Sequence, residues 1–212
     1  MRELVTLART RLDSGLRKEQ ILDATLAIIA ENGHPGVNTS EISRRVGVVP
    51  SALYRHFKDK EQLVDALLER TRERLLGNFD RIGGKTGDPL RLLREIFSLH
   101  LQMIRDNPGI PRLVFSDAAA FGTLQRKNKL FSILNAYMKN IENIVIRGQK
   151  EEKISRDILP RAVAFALVSL AQNVGLIFNL TGGTINMAPE AESAWRLFEK
   201  GLIRNENTRQ EV

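Results

Sequence analysis

Apolar residues recur three and four positions apart along nearly the whole chain, and no stretch alternates with period two. That spacing paints one face of successive helices and leaves no half-buried strand, so the chain reads as all-α. Ile21, Leu22, Leu26 and Ile29 mark a first helix over about 17–32, stopped by Gly33, Pro35 and Gly36. A short helix over 40–46, capped by Asn38, Thr39 or Ser40, buries Ile42 and Val46 and breaks at Gly47. Pro50 lacks only an N–H that a first helical turn leaves unused, so it opens a second short helix to about Phe57. Five more segments follow a long helix over 61–82: 92–106, 110–120, a long one beyond Gly122, 157–180 and 189–202. The total is about nine helices with no internal repeat.

The segment 157–180 is apolar on nearly every side, through Val163, Phe165, Val168, Val174, Leu176 and Phe178. Such a helix in water must be covered all round, by its own core and by another chain. Ser169, Gln172 and Asn173 interrupt its apolar run, which reads as too polar and too short for a membrane span. Together with the stripe Trp195, Phe198 and Leu202 it is expected to form a symmetric homodimer contact, through Phe165, Val168, Ala171, Gln172 and Leu176. The chain has no Cys, which removes disulfides, Cys-ligated zinc and thiol nucleophiles, and its three His are too few for an elaborate metal site. No HExxH or G-x-S-x-G string is present. The reading is a non-enzyme with no catalytic residue, metal or cofactor. Met1–Arg17 contains no apolar run of signal-peptide length, and a cytoplasmic location is expected.

Charge is uneven as well as positive. The net formal charge is +7, and residues 1–60 hold ten Lys or Arg against seven acids. A basic module points to a polyanionic partner. Within it, residues 37–60 read VNTSEISRRVGVVPSALYRHFKDK. Two short helices turning at Gly47, with Ile42, Val46, Val48, Leu53 and Phe57 facing one another and the first helix, describe a helix-turn-helix. With Leu53 and Phe57 spent on the buried side, the second helix turns Pro50, Ser51, Ala52, Arg55 and His56 outward, with Tyr54 on its flank. Small and hydrogen-bonding groups at the N-terminal end of a helix suit entry into a major groove.

Here a resemblance becomes specific. Thr39, Ile42, Gly47-Val48, Leu53-Tyr54, Phe57, Lys60, Glu61 and Leu63 fall on the pattern of the DNA-binding domain of the TetR family of bacterial repressors. The chain departs from that pattern at Val49, where many members carry Ser, and at Lys58-Asp59, where many carry Pro or Ser. The resemblance implies a three-helix DNA-binding domain over 17–62, with its helix-turn-helix at 38–57, behind a basic tail over 1–16. A ligand-binding and dimerisation domain over 63–204 and a tail over 205–212 would complete the chain. It also implies a homodimer on palindromic double-stranded DNA, controlled by a small apolar or amphipathic effector. Thr39, Tyr54 and Lys60 would meet phosphates, Tyr54 and His56 would flank the groove, and Ser51, Ala52 and Arg55 would lie near base edges. Ser40, Arg44 and Pro50 complete the DNA-facing set.

In the body, Phe97, His100, Met103, Phe115, Phe121, Tyr137 and Asn173 are candidates for an effector pocket, since apolar cavities with a few polar groups are the usual design. Packing explains the same residues, and His100 on the apolar face of its helix reads first as a core histidine. Two other functions fit the sequence: a DNA-binding dimer without an effector, and a helical enzyme or scaffold using the N-terminal helices for packing alone.

Overall fold

The computed structural model describes residues 2–82, 87–114, 123–184 and 186–203. Those residues form nine α-helices, with no strand among them: α1 Arg2–Asn32, α2 Thr39–Val46, α3 Pro50–Leu53, α4 Lys60–Arg81, α5 Pro89–Asp106, α6 Gly109–Val114, α7 Leu124–Lys150, α8 Pro160–Leu180 and α9 Ala188–Leu202. A 3-10 turn, His34–Gly36, links α1 to α2. Several boundaries differ from those expected, among them the starts of α5, at Pro89 rather than 92, and of α8, at Pro160 rather than 157. The tail over 1–16 is helical back to Arg2, because its Leu, Ala and Arg residues favour helix and Gly15 alone is too weak a breaker. α3 ends at Leu53, and Arg55 and His56 then donate to the carbonyls of Ala52 and Leu53 in a tighter turn with i→i−3 bonds. α7 continues through Gly148, where a Cβ would stand 2.6 Å from Ile154 Cδ1, so the missing side chain makes room for the segment that follows.

The chain divides into two compact units, 1–71 with 107–130 and 72–106 with 131–212. The sequence suggested a boundary at 62/63; instead the N-terminal unit keeps the first half of α4 and takes in α6 and the start of α7. The reason is close packing of α6 on α1. A Cβ at Gly109 would lie 2.2 Å from the Leu26 carbonyl oxygen, so only glycine fits there. Ile21, Leu22, Ile28, Ile29, Ile42, Leu53, Phe57, Leu67 and Leu68 are buried in this unit. Arginines link its helices. Arg70 of α4 reaches Glu19 (3.4 Å) and Asp23 of α1, and the buried Arg126 of α7 reaches Glu61 and Asp65 (3.3 Å) of α4.

In the C-terminal unit α5 runs along α8, and Gly175 lets them close up, since a Cβ there would lie 2.7 Å from Ile104 Cγ2. Leu92, Leu93, Ile96, Tyr137, Ile141, Leu167 and Trp195 are buried. The same core takes in polar groups. Gln172 Nε2 lies 3.4 Å from His100 Nε2, and the rings of His100 and Tyr137 meet edge to face with centroids 5.4 Å apart. Burial pulls His100 down to about 4 and pushes the Tyr137 hydroxyl up, so both are neutral at pH 7.

Candidate nucleic-acid interface

The helix-turn-helix is fixed by backbone chemistry before any contact to a partner is considered. The Asn38 side chain caps α2 by accepting from the Glu41 N–H at 2.8 Å, and its own amide donates to the Gly36 carbonyl at 3.2 Å. At the other end Gly47 has φ 70°, the left-handed region that favours glycine, and the Ser43 carbonyl accepts from both Gly47 and Val48. α3 starts with Pro50 and without a side-chain cap, because Val49 stands at the N-cap. α4 has the cap that α3 lacks: Asp59 accepts from Gln62 N at 2.7 Å, and Gln62 Oε1 accepts from Lys58 N at 2.7 Å. These caps fix where α2 and α4 begin.

Burial then sorts the faces. Leu53 and Phe57 anchor the α3 segment inside the unit, with the Lys18 ammonium 5.7 Å from the centre of the Phe57 ring. Pro50, Ser51, Tyr54 and Arg55 are exposed, as are Ser40 and Arg44 of α2 and Lys60 at the start of α4. Thr39, Ala52 and His56 are half-buried. All ten residues expected to face DNA therefore belong to the two short helices, the turn after α3 and the first residue of α4. Two of them are already engaged. Arg44 forks onto Glu41 at 2.7 and 2.9 Å, and Lys60 Nζ lies 3.3 Å from the His34 carbonyl.

Arg45 is a tie between helices: it meets Glu31 of α1 at 2.5 and 2.8 Å and Glu41 at 2.7 Å. The hydrogen bonds from Arg44 and Arg45 hold the Glu41 carboxyl down at about 2. The sequence signal for this cluster was the acid at position 41, three residues after the cap and just before two arginines. Val49, where the chain departs from the family pattern, is exposed at the N-cap of α3.

The expected body residues are dispersed. A cleft of about 370 Å³ lies in the C-terminal unit between α5, the end of α8 and the start of α9. Of the pocket candidates only Phe97 lines it; His100, Met103 and Tyr137 are packed in the core, and Asn173 is exposed on α8. Phe115 and Phe121 lie outside the described residues. Among the described residues no group of three or more His, Asp or Glu is placed to hold a metal ion.

The expected dimer residues separate in the same way. Phe165 and Leu176 are exposed, while Val168 is half-buried. Ala171, Trp195 and Leu202 are buried inside the single chain, which withdraws them from any surface offered to a second copy. Gln172 turns inward to His100, and the half-buried Phe198 packs on Trp195 with ring centres 5.6 Å apart. Their place on the outward face is taken by Ile177, Leu180 and Leu197. By length and composition α8 meets the requirement for a membrane span, contrary to expectation, although its Val163, Ala164, Leu167, Ala171 and Gly175 are buried in the unit.

Residues 21–67 match the family model described as bacterial regulatory proteins, tetR family. The nucleoid occlusion factor SlmA of Vibrio cholerae is 31% identical over 139 residues, 65% of this chain and 69% of that protein. Among solved structures, the fatty acid degradation regulator FadR from Bacillus halodurans superposes with TM-score 0.76 at 16% identity, covering 89% of this chain and 97% of its own. FadR from Bacillus subtilis in complex with stearoyl-CoA gives 0.73 at 19%, covering 87% and 98%.

Proposed function

This chain belongs to the TetR family of bacterial regulatory proteins, and from that premise we propose that it is a sequence-specific DNA-binding transcriptional regulator, acting as a ligand-released repressor. The observation that carries the reading is the α3 segment, where Leu53 and Phe57 are buried while Pro50, Ser51, Tyr54 and Arg55 are left exposed. A helix corner that served packing alone would have no use for that row of uncovered hydrogen-bonding groups beside Arg44 and Lys60. Phosphate contacts from Thr39, Tyr54 and Lys60 would set position, and Ser51, Ala52 and Arg55 would read base edges.

The exposed apolar row Phe165, Leu176, Ile177 and Leu180 supports a homodimer, since a surface of this chemistry is stable when a second copy covers it. A two-fold dimer presents its recognition helices about 34–36 Å apart, one DNA turn, and so reads a palindrome. α4 and α7 each contribute residues to both units, so a ligand favouring one conformation of the body would weaken operator binding by its differential affinity for the two states. The place of action is the cytoplasm, where the DNA is.

A gel shift against DNA flanking the protein's own gene, with a salt titration, tests this. A specific complex whose affinity falls steeply with salt is expected; absence of any specific complex at low salt would overturn the reading. The 31% identity to a nucleoid occlusion factor favours a second version of the same DNA-binding activity, serving the nucleoid as a whole rather than one promoter. Genome-wide occupancy separates the two.

A further inference from the structure

The cleft in the C-terminal unit has the composition of a binding site rather than of a packing gap. Its floor is aromatic and aliphatic: Phe97, Ile104, Phe178 and Trp195, with the Phe97 and Trp195 rings stacked at 5.8 Å. At about 370 Å³ it lies within the range that takes a small organic ligand. Three charged side chains line it, Arg94, Arg105 and Glu192. Glu192 is already matched, because both of its carboxylate oxygens lie 2.8–2.9 Å from Arg94 Nη2 and Arg196 approaches it at 3.3 Å.

Arg105 differs from Arg94. Its Nε reaches only the neighbouring Asp106, at 3.4 Å, and its side chain is 65% exposed, so the fork at its tip is unengaged. A guanidinium fork matches a carboxylate bidentately. A second donor lines the same space: the Trp195 indole Nε1 is buried and has no hydrogen-bond acceptor. The cleft therefore combines an apolar floor with a surplus of donors and positive charge.

We propose that this cleft binds an amphipathic carboxylate, with its apolar chain on the Phe97, Phe178 and Trp195 floor and its anionic head on Arg105. The proposal deepens the regulator reading and rests on it for the ligand's consequence, but not for the site itself. Asn173, His100 and Tyr137 take no part in it.

Trp195 is the only tryptophan in the chain, so its fluorescence reports occupancy of the cleft directly. The full-length protein, without DNA, is titrated with decanoate and with decanol. Decanoate is expected to give a saturable change at least tenfold tighter than decanol. Arg105→Gln should weaken decanoate at least tenfold and leave decanol unchanged, and Ser98→Phe, filling the cleft from an exposed position on α5, should abolish both without loss of helical circular dichroism. The proposal is overturned if decanoate gives no saturable change, if decanol equals it, or if Arg105→Gln binds decanoate as the parent does. Because no DNA is present, failure here leaves the operator gel shift untouched, and failure of the gel shift leaves this titration to stand or fall alone.

Discussion

The surface of α3 and the outward face of α8 are both uncovered, yet they are made of opposite chemistry. α3 and the turn after it offer Ser51, Tyr54, which is 54% exposed, and Arg55; α8 offers Phe165, 66% exposed, and Leu180, 75% exposed. The first surface is content in water and gains by exchanging water for phosphates and base edges, a trade that salt reverses. The second gains by losing water altogether, which salt hardly opposes. One surface suits a contact made and broken during regulation; the other suits a contact made once, when the chain pairs.

Converting the apolar face to the chemistry of the other gives the largest expected effect. Phe165→Glu with Leu176→Glu should yield a monomer by sedimentation and lower operator affinity roughly 10³-fold, because the two half-sites are no longer joined. Retained dimerisation would show that the pairing surface lies elsewhere.

The interiors sharpen the contrast. Ion pairs made by Arg45, Arg70 and the buried Arg126 link the helices of the N-terminal unit, whereas the C-terminal unit buries a neutral imidazole. His100 stays uncharged in the folded chain down to about pH 4, while its unfolded side chain takes a proton near the ordinary value of 6.5. Its folded value is depressed, so its contribution is complete above pH 6.5 and is lost as the pH falls from 6.5 towards 4. The loss is up to about 3 kcal/mol. Urea unfolding at pH 7 and pH 4.5 should show a smaller pH difference for His100→Gln than for the parent; equal differences would mean that other groups carry the acid sensitivity.

Smaller effects test the division of labour on α3. Arg55→Ala should cost about 1–3 kcal/mol on the preferred operator and relax discrimination there. Lys60→Ala should weaken all operators alike and reduce the salt slope by about one. If Lys60→Ala changes preference between operators, phosphate and base contacts have been assigned the wrong way round.

The helix-turn-helix was legible because its signals are local. Asn38, Gly47 and Pro50 act within a few residues of themselves, and the four-residue spacing of Leu53 and Phe57 marks the buried side of their segment. The body was less legible because helical spacing identifies an apolar stripe without saying what covers it. The stripe of α9 resembled an interface, yet Trp195 and Leu202 are filled in by their own chain, and the uncovered residue is Leu197 on the opposite side. Arg126 carries no local signal, and Arg45 shows locally only its pairing with Glu41 four positions away. Their roles come from Glu31 and from Glu61 and Asp65, partners 14 and 61–65 positions away.

Gly109 makes a different kind of demand on the sequence. Where α6 meets the Leu26 carbonyl there is space for a hydrogen and for nothing larger, so drift at this one position is closed off whatever the chemistry of the incoming side chain. In a saturation library selected only for folding, position 109 should tolerate fewer residues than any site on the DNA-facing surface. The least variable point of such a regulator would then be one that touches neither its operator nor its ligand.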